Sequence, residues 1–229
     1  MRKSGKKLIA AFLASAMLLS MVGCGGSEDD AEAKTTKKTE GGYNMTFIMP
    51  TRNEFNTAME DGMMKYCEEN GINLVSQDAN QDSSKLIQYV ETAKNQGDDA
   101  VIVLPIDSET IPQIVESAGN MKVVIVNRAP ADMSVFTGDL VYVGSDEYEA
   151  GRFQGEFVAE ILKERGETVA KPIFLLGTVG AENTTARTES AKQALEDAGL
   201  KVEVVNELGA KWERSDALTM IQPLITTAD

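Results

Sequence analysis

Apolar positions along the chain recur in two alternating rhythms. Met45–Met49 is a short apolar run that stops at Pro50, which reads as a strand. Phe55, Ala58, Met59, Met63, Tyr66 and Cys67 then recur at helical spacing. Gly71 ends that helix, since glycine enters the left-handed C′ position without steric cost. Ile72–Val75 predicts the next strand. Leu86, Ile87, Val90 and Ala93 predict a helix ending near Gly97, and Ala100–Leu104 is apolar throughout, like a strand covered on both faces. Ile111, Ile114, Val115 and Ala118 mark another helix, and Val123–Val126 another strand, ending at Asn127 and Arg128.

A polar break over 129–139 follows, and then the rhythm restarts. Leu140–Val143 reads as a strand, and Ala150, Phe153, Phe157, Val158, Ile161 and Leu162 as a helix stripe. Pro172–Leu176 is a strand, 186–198 a helix closed by Gly199, and Val202–Val205 a strand. Ala217, Met220, Ile221 and Leu224 begin a further helix. Helical periods between buried strands imply right-handed βαβ crossovers and parallel sheets. The restart near residue 135 predicts an α/β chain of two doubly wound parallel-sheet lobes, 43–131 and 132–229. Ligands of such sheets bind beyond the carboxyl ends of the strands, so the loops after strands are where function is sought.

The front of the chain has a different character. Arg2, Lys3, Lys6 and Lys7 precede an apolar run, Leu8–Met21, of 14 residues. That is short of the about 20 residues a membrane span needs and suits a secretory signal. Met21-Val22-Gly23-Cys24 resembles a lipobox, so 1–23 is expected to be a lipoprotein signal peptide and Cys24 the lipidated mature N-terminus. Two acyl chains suffice to anchor a protein stably, here to the extracytoplasmic face of the cell membrane. Gly25–Gly42 has no large apolar residue and many charges, so 24–42 reads as a disordered tether. With Cys24 lipidated, Cys67 is the only remaining thiol and no internal disulfide forms. It reads as a small core residue.

Charge and composition narrow the chemistry. The formal net charge is −14, and the segment expected to be removed carries cations only, so the remainder is more acidic still. No nucleic-acid partner is expected, because phosphate binding needs a basic surface. The chain has no histidine, which excludes a Ser-His-Asp triad and a His-ligated zinc. No G-x-G-x-x-G, P-loop, G-x-S-x-G or calcium-loop pattern occurs. No enzyme activity, cofactor or metal is therefore expected.

The post-strand loops instead hold Asn53 and Phe55, Asn127 and Arg128, Asn183 and Arg187, and the single tryptophan, Trp212. A sugar ring has apolar faces that suit flat aromatic side chains. Its hydroxyl rim suits amides that both donate and accept, and guanidinium forks that span adjacent hydroxyls. The same residues admit a plainer role, with Arg187 paired to an acid such as Glu182 and Trp212 only packing.

At Asn53-Glu54-Phe55, Asp78-Ala79-Asn80-Gln81-Asp82, Val126-Asn127-Arg128-Ala129-Pro130, Tyr142-Val143-Gly144-Ser145-Asp146, Gly151 to Gly155, Gly180 to Thr188 and the segment around Trp212, the chain resembles a known family. These are the extracytoplasmic sugar-binding proteins of ATP-driven (ABC) importers and chemoreceptors, most closely the galactose/glucose-binding type, with the ribose-binding type near. The resemblance spans Tyr43 to Asp229. It implies the type I periplasmic binding protein fold, two lobes with a hinged inter-lobe cleft that closes on one monosaccharide. It also implies a monomer that delivers its ligand to an ABC permease. Phe55 and Trp212 resemble the aromatics that sandwich the ring. Asn127 matches a hydrogen-bonding asparagine, Arg128 an arginine of the ribose type or a lysine of the glucose/galactose type, and Arg187 a family arginine.

Asn53 and Asn183 stand where the glucose/galactose type has aspartates, and Ala181 where it has a histidine, so the hydroxyl pattern recognised is expected to differ. Lys163-Glu164-Arg165-Gly166-Glu167 is too short and basic for the calcium loop that one family member carries. The family continues roughly another hundred residues beyond Asp229, so the resemblance implies an incomplete second lobe and weak binding by this form. A sensor presenting its ligand state to a chemoreceptor or sensor kinase is the alternative to import. An exported hydrolase is disfavoured by the missing histidine, and a repressor's effector domain by the leading signal segment.

Overall fold

The computed structural model describes residues 33–226, except 131 and 137. The expected signal peptide, Cys24 and the first part of the tether lie outside the described residues.

Five parallel strands form the first sheet: β2 (Asn44–Met49), β3 (Asn73–Asp78), β4 (Ala100–Val103), β5 (Lys122–Val126) and β6 (Leu140–Val143). β1 (Lys34–Thr35) adds to its edge antiparallel, giving the order β1-β3-β2-β4-β5-β6. The period-2 alternation of a strand divides β2 between two cores. Ile48 joins Val90, Val101, Ile114 and Ile125 beneath α2 (Ser83–Gln96) and α3 (Ile111–Ala118). Phe47 and Met49 join Leu74 and Cys67 beneath α1 (Glu54–Glu69). Cys67 is a buried free thiol, as its position on the apolar stripe predicts, and burial pushes that thiol up.

The helix ends follow local chemistry. Asn53 caps α1 by accepting from the Asn56 N–H at 2.9 Å, and Gly71 takes φ +67° after its end. Asp82 caps α2 by accepting from Ser84 and Lys85, and Gly97, at φ +80°, closes it. With β2 in the middle, β3 on one side and β4 on the other, the connections leave on opposite faces. A crevice opens at the carboxyl ends where they diverge.

The second lobe begins with α4 (Glu147–Glu164), followed by β7 (Val169–Ala170), β8 (Ile173–Leu176), α5 (Glu182–Asp197), β9 (Lys201–Val202), β10 (Asn206–Gly209) and α6 (Arg214–Thr226). β7 pairs with β9 and β8 with β10, both parallel. α4 and α5 meet backbone to backbone. A Cβ on Gly155 would stand 2.4 Å from the Ala191 carbonyl oxygen, and one on Gly151 would stand 2.2 Å from that of Arg187.

Three expectations are corrected. Leu140–Val143 does not open the second lobe; it pairs with β5 from Val123↔Leu140 to Val126↔Val143, so the border moves from 131/132 to beyond residue 143. The polar break is a loop within the first lobe. Residues 33–42 are not a free tether. Thr36 donates its N–H to Leu74 O at 3.0 Å and is buried, Thr39 N–H donates to the Asn73 side chain at 2.6 Å, and Lys34 pairs with Glu60 at 2.6 Å. Backbone hydrogen bonds to an open strand edge and the ion pairs of Lys34 with Glu60 and Asp61 dock this polar segment without any large apolar residue. The single strand expected at Val202–Val205 is two strands, β9 and β10. The gap lies opposite Pro172, which has no N–H to donate, although Val205 still donates to the Pro172 carbonyl at 2.9 Å.

Candidate functional site

Beneath the loop after β2 lies a buried ion cluster. Glu60, on the inner face of α1, has no exposed side-chain surface and accepts from Arg52 Nε at 3.1 Å, from Arg52 Nη2 at 3.0 Å, from Ser76 and from Lys34. Burial raises its carboxyl, but the hydrogen bonds from Arg52, Lys34 and Ser76 together outweigh it and hold the group below the ordinary carboxylate range. Arg52 N–H also donates to Asp78 at 3.0 Å. Arg52 immediately precedes Asn53, so the cluster positions the start of α1 and with it Asn53 and Phe55.

On the far side of the crevice, Asn127 and Arg128 follow β5. Asn127 has φ +65°, and its carbonyl accepts from the Tyr142 hydroxyl at 3.0 Å. Burial, with lesser contributions from Glu147 and Glu182, raises the Tyr142 phenol, which keeps it a donor. Arg128 Nη1 donates to Pro105 O at 3.3 Å, while its Nε is buried without a partner. Burial lowers the Arg128 guanidinium, and the Asp107 carboxylate partly opposes this.

The second lobe supplies the opposite wall. Asn183 and Arg187 lie one turn apart on α5. The Asn183 side-chain oxygen accepts from Thr184 N–H at 2.9 Å. Arg187 Nε donates to the Glu147 carboxylate, which also accepts from Ser145 at 2.9 Å. The guanidinium carbon of Arg187 lies 5.8 Å from the Trp212 ring centroid. The acid that holds Arg187 is therefore Glu147, not the sequence neighbour Glu182. Trp212 reaches the wall because Lys211 and Trp212 are both left-handed, at φ +53° and +66°, and because Gly177 leaves room for the ring.

All seven residues singled out from the sequence, Asn53, Phe55, Asn127, Arg128, Asn183, Arg187 and Trp212, line one cavity of about 910 Å³ between the lobes. Gln81, Lys211, Glu213 and Val179 also line it, and sequence reasoning missed them. The structure holds a signal for two of them. Five non-glycine residues have positive φ among the described residues, and four of these, Gln81, Asn127, Lys211 and Trp212, line this cavity. Each such backbone costs on the order of 1–3 kcal/mol, and such costs cluster where a site needs a side chain aimed. Gln81 was within reach of sequence reasoning, since Asn80-Gln81 lies in a quoted motif after a strand. Lys211 has no comparable signal.

Phe55 and Trp212 keep 61% and 40% of their surface exposed, so aromatic faces are open to a flat apolar partner. Among the described residues, no group of three or more Cys, Asp or Glu side chains gathers to hold a metal, and no helix is long and apolar enough to cross a membrane. The arrangement can grip a polar ring at its edges and cover its faces.

Comparison with known proteins places this geometry. A family model described as the periplasmic binding protein domain matches residues 45–229. The ribose import binding protein RbsB of Bacillus subtilis is 31% identical over 180 residues, covering 78% of this chain and 55% of that protein. A xylitol-binding protein of Mycolicibacterium smegmatis is 27% identical over 222 residues, covering 96% of this chain and 59% of its own length. Among solved structures, an ABC transporter solute-binding protein of Bacillus halodurans with bound myo-inositol superposes with a TM-score of 0.69 at 26% identity, covering 84% of this chain and 66% of that one. The chain thus spans somewhat over half the length of the curated relatives it matches. These relatives are named for ribose, xylitol and myo-inositol, whereas the sequence motifs lead to the expectation of a galactose/glucose type.

Proposed function

This chain belongs to the periplasmic binding protein domain family, and we propose that it captures a monosaccharide or similar small polyol outside the cytoplasm and hands it to an ABC importer. The observation that carries this reading is the cavity between the lobes. Phe55 and Trp212 offer ring faces there, two arginines and three asparagines offer edges, and four left-handed residues hold their side chains toward it. The ribose- and xylitol-binding relatives support the ligand class and the solute-binding rather than catalytic role.

In this reading the ring lies between Phe55 and Trp212. Asn53, Asn127 and Arg128 hold its hydroxyls from the first lobe, and Asn183 and Arg187 hold them from the second. Ligand contact with both walls favours the closed arrangement of the lobes, which an importer's permease then distinguishes from the open one. Cys24 carries the lipid that keeps the protein at the extracytoplasmic face of the membrane.

A thermal-shift panel of pentoses, hexoses, inositols and sugar alcohols tests the binding function. A ligand present at 100 times its Kd stabilises the fold by about 2.7 kcal/mol. A flat response across the panel overturns the reading. Cys24→Ser tests the anchor: the variant is expected in the soluble fraction, and one retained in membranes as firmly as the natural chain refutes lipidation at Cys24.

A further inference from the structure

Asn127 sits at the centre of a γ-turn. Its φ is +65°, and the Arg128 N–H donates across it to the Val126 carbonyl at 2.7 Å. A γ-turn with positive φ is rare and strained, and such backbone persists only where neighbouring groups fix it from more than one side. Here the end of β6 takes both backbone polar groups of the asparagine. Its N–H donates to the Val143 carbonyl at 2.8 Å, and its carbonyl accepts from the Tyr142 hydroxyl at 3.0 Å. The turn decides where the side chain points, and Asn127 lines the cavity between the lobes.

The hydroxyl is itself placed. The Tyr142 ring lies tilted against Phe136, with centroids 5.7 Å apart, and folds back over Gly144. A Cβ on Gly144 would overlap the Tyr142 hydroxyl oxygen and the ring carbon that bears it, so a side chain at 144 would push the hydroxyl away from Asn127. The connection into the second lobe follows at once. Ser145 donates to Glu147 at 2.9 Å, and Glu147 receives Arg187. One short stretch, 142–147, therefore holds a cavity-lining residue in each lobe, Asn127 in the first and Arg187 in the second.

We propose, building on the reading of this cleft as a monosaccharide or polyol site, that Tyr142 and Gly144 are positioning residues for the ligand: Tyr142 holds the turn that aims Asn127, and Gly144 keeps open the space that the Tyr142 hydroxyl needs.

Calorimetry on the full-length protein with D-ribose, xylitol and myo-inositol tests this. Tyr142→Phe removes the hydroxyl alone and is expected to weaken whichever of these binds by about three- to tenfold, the range that one neutral hydrogen bond spans. Asn127→Gly keeps the left-handed turn accessible and removes the side chain being aimed. In that background Tyr142→Phe is expected to cost less than about twofold in affinity, whatever it does to the melting temperature. Gly144→Ala is expected to reproduce the Tyr142→Phe loss, and the two together to cost no more than either alone. An equal affinity loss from Tyr142→Phe with and without the Asn127 side chain would mean that Tyr142 serves the fold or meets the ligand itself, and would overturn the assignment. Full affinity in Tyr142→Phe would overturn it too, and either result leaves the monosaccharide or polyol reading standing. No binding of any of the three by the unmodified protein would overturn both readings.

Discussion

Arg214, the first residue of α6, reaches Glu54, the first residue of α1, with Nη1 3.2 Å from a carboxylate oxygen. The pair joins the two lobes at the mouth of the cleft, between residues 160 positions apart in the chain. Both side chains are about three-quarters exposed, which sets the scale of what the contact can do.

An ion pair this open is screened by water and salt and held by two mobile side chains. Arg214→Ala is therefore expected to weaken ligand binding by no more than about fivefold, with no change in melting temperature. The effect should vanish in 500 mM salt. Calorimetry at two ionic strengths checks it, and a loss that persists in high salt would mean that Arg214 touches the ligand directly.

Glu60 behaves differently because its carboxylate is enclosed. Its folded pKa lies below the ordinary value of 4.5, so as pH falls the unfolded chain takes up the proton first. The stability this group contributes is complete above about pH 4.5 and is lost as pH falls through the folded pKa. Glu60→Gln is expected to lower stability at pH 7 by about 3–5 kcal/mol, because Arg52 loses its partner, and to flatten the acid limb of the stability profile. Urea titrations from pH 7 to pH 3 measure both. Parallel acid limbs in the two proteins would show that Glu60 does not titrate differently on folding.

Arg187 has two tasks, so its removal has two readouts. Arg187→Ala is expected to weaken sugar binding at least about 30-fold, since charged hydrogen bonds contribute about 1.5–3 kcal/mol each. It also leaves Glu147, nearly enclosed, without its cation, and the melting temperature falls with it. The double variant Glu147→Gln/Arg187→Ala is expected to recover stability but not affinity. If affinity returns with stability, Arg187 serves the fold alone.

Trp212 is the only tryptophan, so its fluorescence reports on the cleft wall alone. A Cβ on Gly177 would stand 2.0 Å from the indole ring. Gly177→Ala is expected to displace the ring, shift the emission maximum of the unliganded protein and weaken binding about tenfold. An unchanged spectrum would mean that the ring already lies elsewhere in solution.

Much of this architecture was legible in the chain itself. Strand and helix periods along 44–126 report burial through local geometry, a two-residue alternation or a three-to-four-residue stripe, and need no knowledge of partners. The helix ends at Gly71 and Gly97 are equally local. The rule that ligands meet the carboxyl ends of parallel strands then singles out the loops holding Asn53, Asn127, Asn183 and Trp212, and the family resemblance selects the side chains within them.

What only the tertiary structure decided depends on contacts between distant residues. Leu140–Val143 has one half-buried face that would suit an edge of either sheet, and its hydrogen bonds to β5 assign it to the first. Residues 33–42 look soluble because polar side chains hide what their backbone N–H groups can do at the edge of β3. Arg187 finds Glu147, 40 positions away, in place of the near Glu182, because α4 and α5 touch through Gly151 and Gly155. The left-handed turn at Lys211-Trp212 carries no glycine to announce it. Local periodicity encodes which face of an element is buried; which element buries it, and which charge meets which, is settled only when the chain closes on itself.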